Sequence, residues 1–365
     1  MEKIKVAVWG FGAMGSGIAK TILSKKGIDI VGVCDTRPEK VGVNVYETLG
    51  IDSSNRPDNR PDNRPDNRPE LLVSPSIDDI VSERSCDICV IATDSFVLGI
   101  VDKITKVVSL GINVITIAEE MSYPKAKYPE LAAKIDQAAR RHGVSVLGTG
   151  INPGFVMDLL AIALSGTMTD VKKVTCRRVN SLSPFGVAVM REQGVGLTVE
   201  DFNSKIQEGT LSGHVGFAES IQMISDALGL EVDSFEQQMS PLVTKVDRKS
   251  AYGSAAAGTV AGVDMRGQGI RDGELIINME HPQQIEPEEE GIHTGDYIVI
   301  EGTPSVSMSI NPEISGGLGT IAMCVNCIPH VINAAPGLKT MIDIPVPRAI
   351  MGDFRDLIDP AKKIV

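Results

Sequence analysis

The sequence predicts an α/β chain in two parts: an N-terminal parallel sheet wound by helices, then an α+β domain, with a C-terminal helix returning to the first part. Three observations carry this. Apolar strand-like runs alternate with helical patterns through the first 150 residues, and such alternation builds parallel βαβ units. From Val171 onward, strand-like runs lie close together across turn-sized gaps, which points to an antiparallel or mixed sheet. Finally, Gly319 to Ala334 is a long, mostly apolar helical stretch that ends before Pro336 and Gly337.

The first strand, Ile4 to Trp9, runs into Gly10-Phe11-Gly12-Ala13-Met14-Gly15 and then a helical pattern from Ser16 to Lys25. A second strand, Ile28 to Cys34, ends at Asp35, twenty residues beyond Gly15. Strand, Gly-x-Gly-x-x-Gly, helix, strand and terminal acid form the dinucleotide-binding fingerprint of a Rossmann domain. In this reading Gly10 makes the tight turn, Gly12 admits a pyrophosphate close to the backbone, and Gly15 packs helix on strand. The helix N-terminus offers N–H groups and a positive dipole end. Asp35 favours the ribose hydroxyls of NAD, while Arg37 and Lys40 lie near enough in sequence to take a 2′-phosphate, so NAD is expected and NADP is accommodated.

Further strands are expected at Leu71 to Val73, Asp87 to Thr93, Val114 to Ala118 and Val144 to Gly148, with helices at Phe96 to Leu110 and Lys127 to His142. The Asn-Arg-Pro-Asp repeats of residues 55–70 carry no core-forming side chains and are expected as an exposed loop. In the second part, strands are expected at Val171 to Val179, Met239 to Val246, Ser254 to Met265, Glu274 to Met279, Tyr297 to Gly302 and Ser305 to Ile310. Helices are expected at Val156 to Ser165, Thr198 to Gln207 and Val215 to Leu228. The expected domains are residues 1–152 for nucleotide, 153–315 for substrate and dimerisation, and 316–365 packing back on the first.

Bulk properties narrow the function. A net charge of −12 argues against nucleic acid or an anionic membrane as partner. No apolar run is long enough to span a bilayer, and the N-terminus runs straight into the first strand, so a cytoplasmic protein without a signal peptide is expected. Cys86 and Cys89, and Cys324 and Cys327, are spaced as C-x-x-C but sit in apolar segments, so neither a metal nor a disulfide is expected.

In an open parallel sheet the reactive groups collect beyond the carboxyl ends of the strands. Ala92-Thr93-Asp94-Ser95 follows the fourth strand and is expected near the nicotinamide, with Asp94 or Ser95 also able to cap the next helix. Glu119 and Glu120 follow the fifth. A buried pair of carboxylates raises one pKa toward a value useful to a general base, and alternation along an extended segment turns one of the two toward the cofactor, Glu119 being favoured. Gly148 to Phe155 is a second glycine-rich turn before a helix, able to hold a carboxylate or simply capped by Asn152 with Pro153 at the first helical position. Arg178 and Asn180 on the first strand of the second part, and His214 opening a helix, complete the candidate substrate ligands, an arginine being suited to clamp a carboxylate. Gly-x-Ser-x-Gly, P-loop and HExxH motifs are absent.

Taken together, Val8 to Gly15, Ile91 to Phe96, Ala118 to Pro124, Gly148 to Phe155 and Arg178 to Gly186, in this order, resemble the 2,4-diaminopentanoate dehydrogenases of ornithine fermentation and their relatives, the native amine dehydrogenases. The likeness runs from Lys3 to about Pro347, apart from the repeats. It extends more distantly to dihydrodipicolinate reductase, whose Gly-His-His-type motif is missing, and to diaminopimelate dehydrogenase. The resemblance implies oxidative deamination of the diamino acid at C4, with a glutamate at the end of the fifth strand as the acid-base residue; Glu119 and Glu120 both fit. It also implies a substrate cleft using Asn152, Arg178, Asn180 or His214, and a homodimer through the second domain's sheet. The competing readings are a cyclic-imine reductase and a non-catalytic NAD-sensing regulator.

Overall fold

A computed structural model describes residues 2–51 and 70–362; the repeat loop expected over residues 55–70 lies outside the described residues except for the exposed Glu70. The chain forms two compact units, Met1–Ile151 with Gly316–Val365, and Asn152–Ser315.

In the first unit β1 (Ile4–Trp9), α1 (Ala13–Leu23), β2 (Ile28–Cys34), α2 (Val45–Thr48), β3 (Val73–Ser74), β4 (Ile88–Ile91), α3 (Val97–Ser109), β5 (Asn113–Thr116), α4 (Pro129–His142) and β6 (Ser145–Gly148) follow one another. The sheet is parallel, in the order β15-β6-β5-β4-β1-β2-β3, with β15 (Gly337–Lys339) supplied by the returning C-terminal segment. Both faces of the central strands are buried: Val6, Ala7, Val8, Ile88, Cys89, Val90 and Ile91 lose all solvent contact. That is why these segments read as continuous apolar runs and not as alternating ones.

The returning helix α9 (Gly316–Asn333) packs on α1, where Gly17 leaves the space that Ile321 fills; a Cβ there would stand 2.4 Å from its Cδ1. Ser145 Oγ donates to the Val331 carbonyl from β6, and Ile151 N donates to Thr320 Oγ1. The strand β15 that follows was not foreseen: three residues after a Pro-Gly turn carry too little pattern to read.

The second unit holds α5 (Leu159–Ser165), β7 (Asp170–Ser181), α6 (Val187–Glu192), α7 (Val199–Gln207), α8 (Phe217–Leu228), β8 (Ser234–Val243), β9 (Arg248–Lys249), β10 (Ser254–Ala255), β11 (Val260–Arg271), β12 (Glu274–Gln284), β13 (Gly295–Thr303) and β14 (Val306–Ile310). Its main sheet is mixed, in the order β14-β13-β7-β12-β11-β8, with β7 and β12 parallel and the remaining pairs antiparallel. The helices cover one face, with Phe217, Ile221, Ile224, Cys176, Ile277 and Met279 in one apolar cluster.

Several boundaries differ from the sequence reading, among them the strand expected at Met239 to Val246, which is β8 at Ser234–Val243, and in three cases the physical reason is plain. The strand expected at Ser254 to Met265 is instead β11, which runs on to Arg271 through Gly267 and Gly269. Those glycines are not breakers here. Phe217 and Ile221 occupy the room their missing side chains leave, at 2.9 Å from each ideal Cβ. Likewise β12 does not stop at Met279 but continues through Pro282 to Gln284. The expected helix from Val156 begins only at Leu159, because Asp158 is its cap.

All six cysteines are free and buried, and burial pushes the thiols of Cys86 and Cys327 up to about 12. Among the described residues no group of His, Cys, Asp or Glu is arranged to hold a metal, and no helix is long and apolar enough to cross a membrane.

Candidate active site

The glycine turn in the first unit is built by close approaches. Gly10 has φ of +102°, and a Cβ there would lie 2.4 Å from the Ala92 carbonyl oxygen at the end of β4. Gly15 sits against the turn itself, its ideal Cβ 1.8 Å from the Gly10 carbonyl oxygen. Gly12 is different: the nearest atom to its ideal Cβ is an Arg37 guanidinium nitrogen at 3.8 Å, so the space above it is open. Gly12 is also the cap of α1, with no side chain on the N–H groups of the first turn, Ala13, Met14 and Gly15. Those amides have no intrahelical acceptor. An open cradle of unpaired N–H groups at a helix N-terminus fits a pyrophosphate.

Phe11 belongs to the frame of this cradle. Its ring is fully buried and its N–H donates to Asp35 Oδ2 at 2.7 Å. Asp35 also accepts from Arg37 N (2.9 Å) and Nε (3.0 Å) at Oδ1 and from Arg37 Nη2 (2.8 Å) at Oδ2. The Arg37 guanidinium thus holds the Asp35 carboxyl well below the usual carboxylate range. A carboxylate offers about four acceptor sites, and these four donors fill them. While the Arg37 fork is in place, Asp35 has no acceptor site left over, a coupling the sequence reading of Asp35 and Arg37 as separate residues did not contain.

Beyond β4, Thr93 Oγ1 accepts from Lys103 Nζ at 3.0 Å and Asp94 Oδ1 accepts from Phe96 N at 3.0 Å. The expected cap of α3 by Asp94 or Ser95 is not found. Its N-cap is Phe96, without a side-chain bond, and the Val97 N–H is taken at 2.8 Å by Glu120 Oε2 from the end of β5. Glu120 N in turn donates to the Ser95 carbonyl at 3.1 Å, and its Oε1 meets Lys127 Nζ at 3.2 Å. Glu119 and Glu120 lie in a 3₁₀ turn, Glu119–Ser122, and not in the extended segment whose alternation was expected to orient them. Nor do they share one environment: Glu120 is buried between an N–H and a cation, whereas Glu119 is half-buried.

In the second unit, Asn152 precedes Pro153 and Gly154 in a loop held from two sides. Gly216 leaves room for the Pro153 ring, 2.5 Å from its ideal Cβ, and Asp158 Oδ2 accepts from Gly154 N at 2.7 Å and from Ser220 Oγ at 2.8 Å. Asp158, fully buried, is also the true cap of α5 through Leu159 N, so the expectation that Asn152 caps this helix with Pro153 at its first position is corrected. His214 likewise does not open a helix; α8 starts at Phe217, after Gly216. Asn152 Nδ2 lies 3.2 Å from His214 Nε2.

Arg178 is not available as a carboxylate clamp. It is 2% exposed, its Nη1 is 2.5 Å from Asp296 Oδ1 and its Nη2 donates to the Ile314 carbonyl. Its fork fastens β7 to β13 and to the segment beyond β14. Asn180, by contrast, remains in the polar group, its Oδ1 2.8 Å from His281 Nε2. His281 was missed, as were the buried Gln283 and Asp158. His281 and Gln283 continue the Met279 alternation on either side of Pro282, and extending that alternation beyond Met279 would have found them.

Comparison with known proteins places the chain. The model of the 2,4-diaminopentanoate dehydrogenase C-terminal domain matches residues 155–360. The chain is 54% identical, over all of both chains, to 2,4-diaminopentanoate dehydrogenase of Acetoanaerobium sticklandii. It is 24% identical to an amine dehydrogenase of Streptomyces virginiae, across 95% of this chain and 98% of that one. Among solved structures, amine dehydrogenase from Mycobacterium smegmatis superposes with a TM-score of 0.80 at 27% identity, covering 96% of this chain and 98% of that one. With the glycine cradle of its parallel sheet and a match spanning the whole of both sequences, the chain belongs to the 2,4-diaminopentanoate dehydrogenase family.

Proposed function

We propose that the protein catalyses NAD(P)-dependent oxidative deamination of 2,4-diaminopentanoate at C4, a step of ornithine breakdown, yielding 2-amino-4-oxopentanoate, ammonia and reduced cofactor. The observation that carries this reading is the 54% identity, end to end, with the Acetoanaerobium sticklandii dehydrogenase. The cofactor, when bound, supplies the hydride acceptor. The amides of Ala13, Met14 and Gly15 over the open face of Gly12 hold its pyrophosphate, and Ala92 to Ser95 border its nicotinamide end. NAD is the proposed cofactor, with NADP accommodated where the Arg37 guanidinium meets the 2′-phosphate and offsets Asp35.

Glu119 is the proposed acid-base residue: it stands in the 3₁₀ turn at the end of β5, beside the Glu120 carboxylate that holds Val97 N–H and Lys127. A substrate ammonium cannot release hydride from its carbon until it loses a proton, since the C=N bond forms from the nitrogen lone pair. Glu119 takes that proton; the C4–H bond then breaks as hydride leaves, giving an iminium. Once that proton has passed from Glu119 to solvent, the carboxylate deprotonates the water that adds to C4, and returns this second proton to the nitrogen as collapse of the adduct expels ammonia. In balance, the ammonium substrate, oxidised cofactor and water give ketone, ammonium ion, reduced cofactor and one proton. Asn152, Asn180 and His214 contribute to the substrate site in the second unit. A homodimer through the open face of that unit's sheet, where Arg177, Tyr297 and Val299 lie side by side, completes the proposal and is checked by light scattering.

The test is reduced-cofactor formation at alkaline pH with 2,4-diaminopentanoate beside ornithine, diaminopimelate and simple amines, with NAD and NADP in parallel and ammonia measured. Turnover of the first substrate with matching ammonia is expected. Silence on every amine despite cofactor binding refutes the proposal.

A further inference from the structure

One corner of the second unit's buried sheet face is polar where the rest is apolar. Residues opposite one another across a ladder share a face, and Gln283 on β12 is paired with Asn180 on β7. Alternation puts Arg178 beside Asn180, and His281 beside Gln283, on that same face. All four are at least nine-tenths buried. Arg178 is closed off by Asp296. The others are not closed off among themselves.

Asn180 Oδ1 accepts from His281 Nε2 at 2.8 Å, which fixes the Nε2–H tautomer and leaves Nδ1 as a lone-pair acceptor. That Nδ1 is buried without a partner, as are Gln283 Nε2, a donor, and Asn152 Oδ1, an acceptor. His214 ties the group together: its ring stands edge-on to His281 at 4.7 Å between centroids, and its Nε2 is 3.2 Å from Asn152 Nδ2. Burial, with His214 and Arg178 nearby, keeps the His281 imidazole well below its ordinary pKa and therefore neutral.

Each unpaired buried polar group is costly, and three in one cluster imply that something else pairs them. The chemistry of the set is specific. Two neutral acceptors match an ammonium group, and an amide N–H matches a carboxylate; together these are the groups that the head of an α-amino acid presents. We infer that His281 and Gln283, with Asn152, bind the α-ammonium and α-carboxylate of the substrate and so make the enzyme select an amino acid over a simple amine. This rests on the amine-oxidising reading above, and it assigns a specificity role to two residues on β12. Asn180 acts through His281 as a positioning residue.

The test compares wild type with Q283M, which keeps length and removes the amide, and H281F, which keeps a ring and removes both nitrogens. Steady-state kinetics are measured on the full-length enzyme with 2,4-diaminopentanoate and with pentan-2-amine, which has the same reacting carbon and no head group. Loss of a hydrogen bond to a charged group raises KM for the diamino acid about 10- to 100-fold. The kcat is expected to stay within about twofold, because these groups do not touch the reacting carbon, and kinetics with pentan-2-amine and the cofactor KM are expected to be unchanged. An unchanged KM for the diamino acid in Q283M overturns the inference and leaves a buried water as the partner of these atoms. Equal losses on both substrates overturn it as well, by showing a merely structural role. If wild type turns over neither amine, the proposed reaction fails separately. Calorimetric titration of 2,4-diaminopentanoate into wild type and Q283M then decides the head-group site: binding that the variant weakens supports it, and no binding in wild type overturns it.

Discussion

Replacing Glu120 separates scaffold from chemistry in the glutamate pair. Its Oε2 is the acceptor for the Val97 N–H, the first amide of a 13-residue helix that has no side-chain cap and no acidic residue in its first turn. Val97 is fully buried, so that N–H cannot turn to water when the carboxylate is removed. A charge-assisted hydrogen bond contributes about 1.5–3 kcal/mol, and a negative charge at a helix N-terminus about 0.3–1 kcal/mol more. The ion pair with Lys127 adds little, because the lysine is 38% exposed and regains water. Glu120→Ala is therefore expected to cost about 2–4 kcal/mol. Glu120→Gln, whose amide oxygen still accepts from Val97, should cost only about 1 kcal/mol. For a unit of this size each kcal/mol lowers Tm by about 2–4 °C. Glu119→Gln should abolish turnover with a smaller Tm change than Glu120→Ala. The assay pairs thermal melts with reduced-cofactor formation and cofactor binding for all three variants. A Glu120→Ala enzyme that melts with wild type, or a Glu119→Gln enzyme with full turnover, refutes the division of roles.

Three further outcomes follow from the same geometry. Arg37→Met removes the fork from Asp35 and frees acceptor sites for ribose hydroxyls, so kcat/KM with NADP should fall about tenfold or more while that with NAD holds or rises; equal changes for both cofactors contradict the coupling. Arg178→Met strands the Asp296 carboxylate, itself 2% exposed, and should destabilise the fold by about 3–5 kcal/mol in denaturant titrations, with R178M/D296L recovering much of the loss; a raised substrate KM in a fully stable variant would return Arg178 to the substrate site. His281 is held below its ordinary pKa by burial first, then by His214 and Arg178. Above about pH 6.5 it is neutral in both states and costs nothing. Below that pH the unfolded chain binds a proton the folded one does not, so stability falls with acidification, by up to about 1.4 kcal/mol per pH unit. His330 adds to the same slope, so the measurement is the flattening of Tm against pH between 7 and 5 in His281→Gln relative to wild type, and identical slopes refute it.

How much was legible depends on how local each feature is. The glycine turn and its flanking strands occupy one βαβ segment, and the close packing of Gly10 and Gly15 follows from short-range sterics that the residue types state directly. The apolar α9 was visible in composition, because a helix buried on most sides carries few polar residues. What escaped was set by pairing across the sheet. The strand expected at Glu274 to Met279 stops short of Pro282, which has no N–H to give a ladder. The ladder with β7 does break there, running to Glu280 and resuming at Gln283. On its other side Pro282 still faces Asp264 of β11, which keeps the strand in place. His281 and Gln283 flank that residue, in the stretch of β12 beyond the expected end at Met279.

The glutamate pair shows why adjacent charged residues do not reveal their own roles. In a parallel sheet every crossover helix begins at the carboxyl end of a strand, where the ligand also binds, so the N–H groups of each helix need acceptors in the same small region. At α1 the amides stay open because Gly12 offers no side chain, and they are left to an anion. At α3 they are closed by Glu120, reaching across from the neighbouring strand. One carboxylate, Glu120, therefore serves the scaffold through Val97 N–H and Lys127, and the other stands beside it in the same turn. Glu120 N on the Ser95 carbonyl and Glu120 Oε2 on Val97 N make a two-point bridge between the two strand ends. That bridge fixes the turn that carries Glu119, so the loss of Glu120 should show first as a loosened Glu119, with kcat falling before cofactor affinity does.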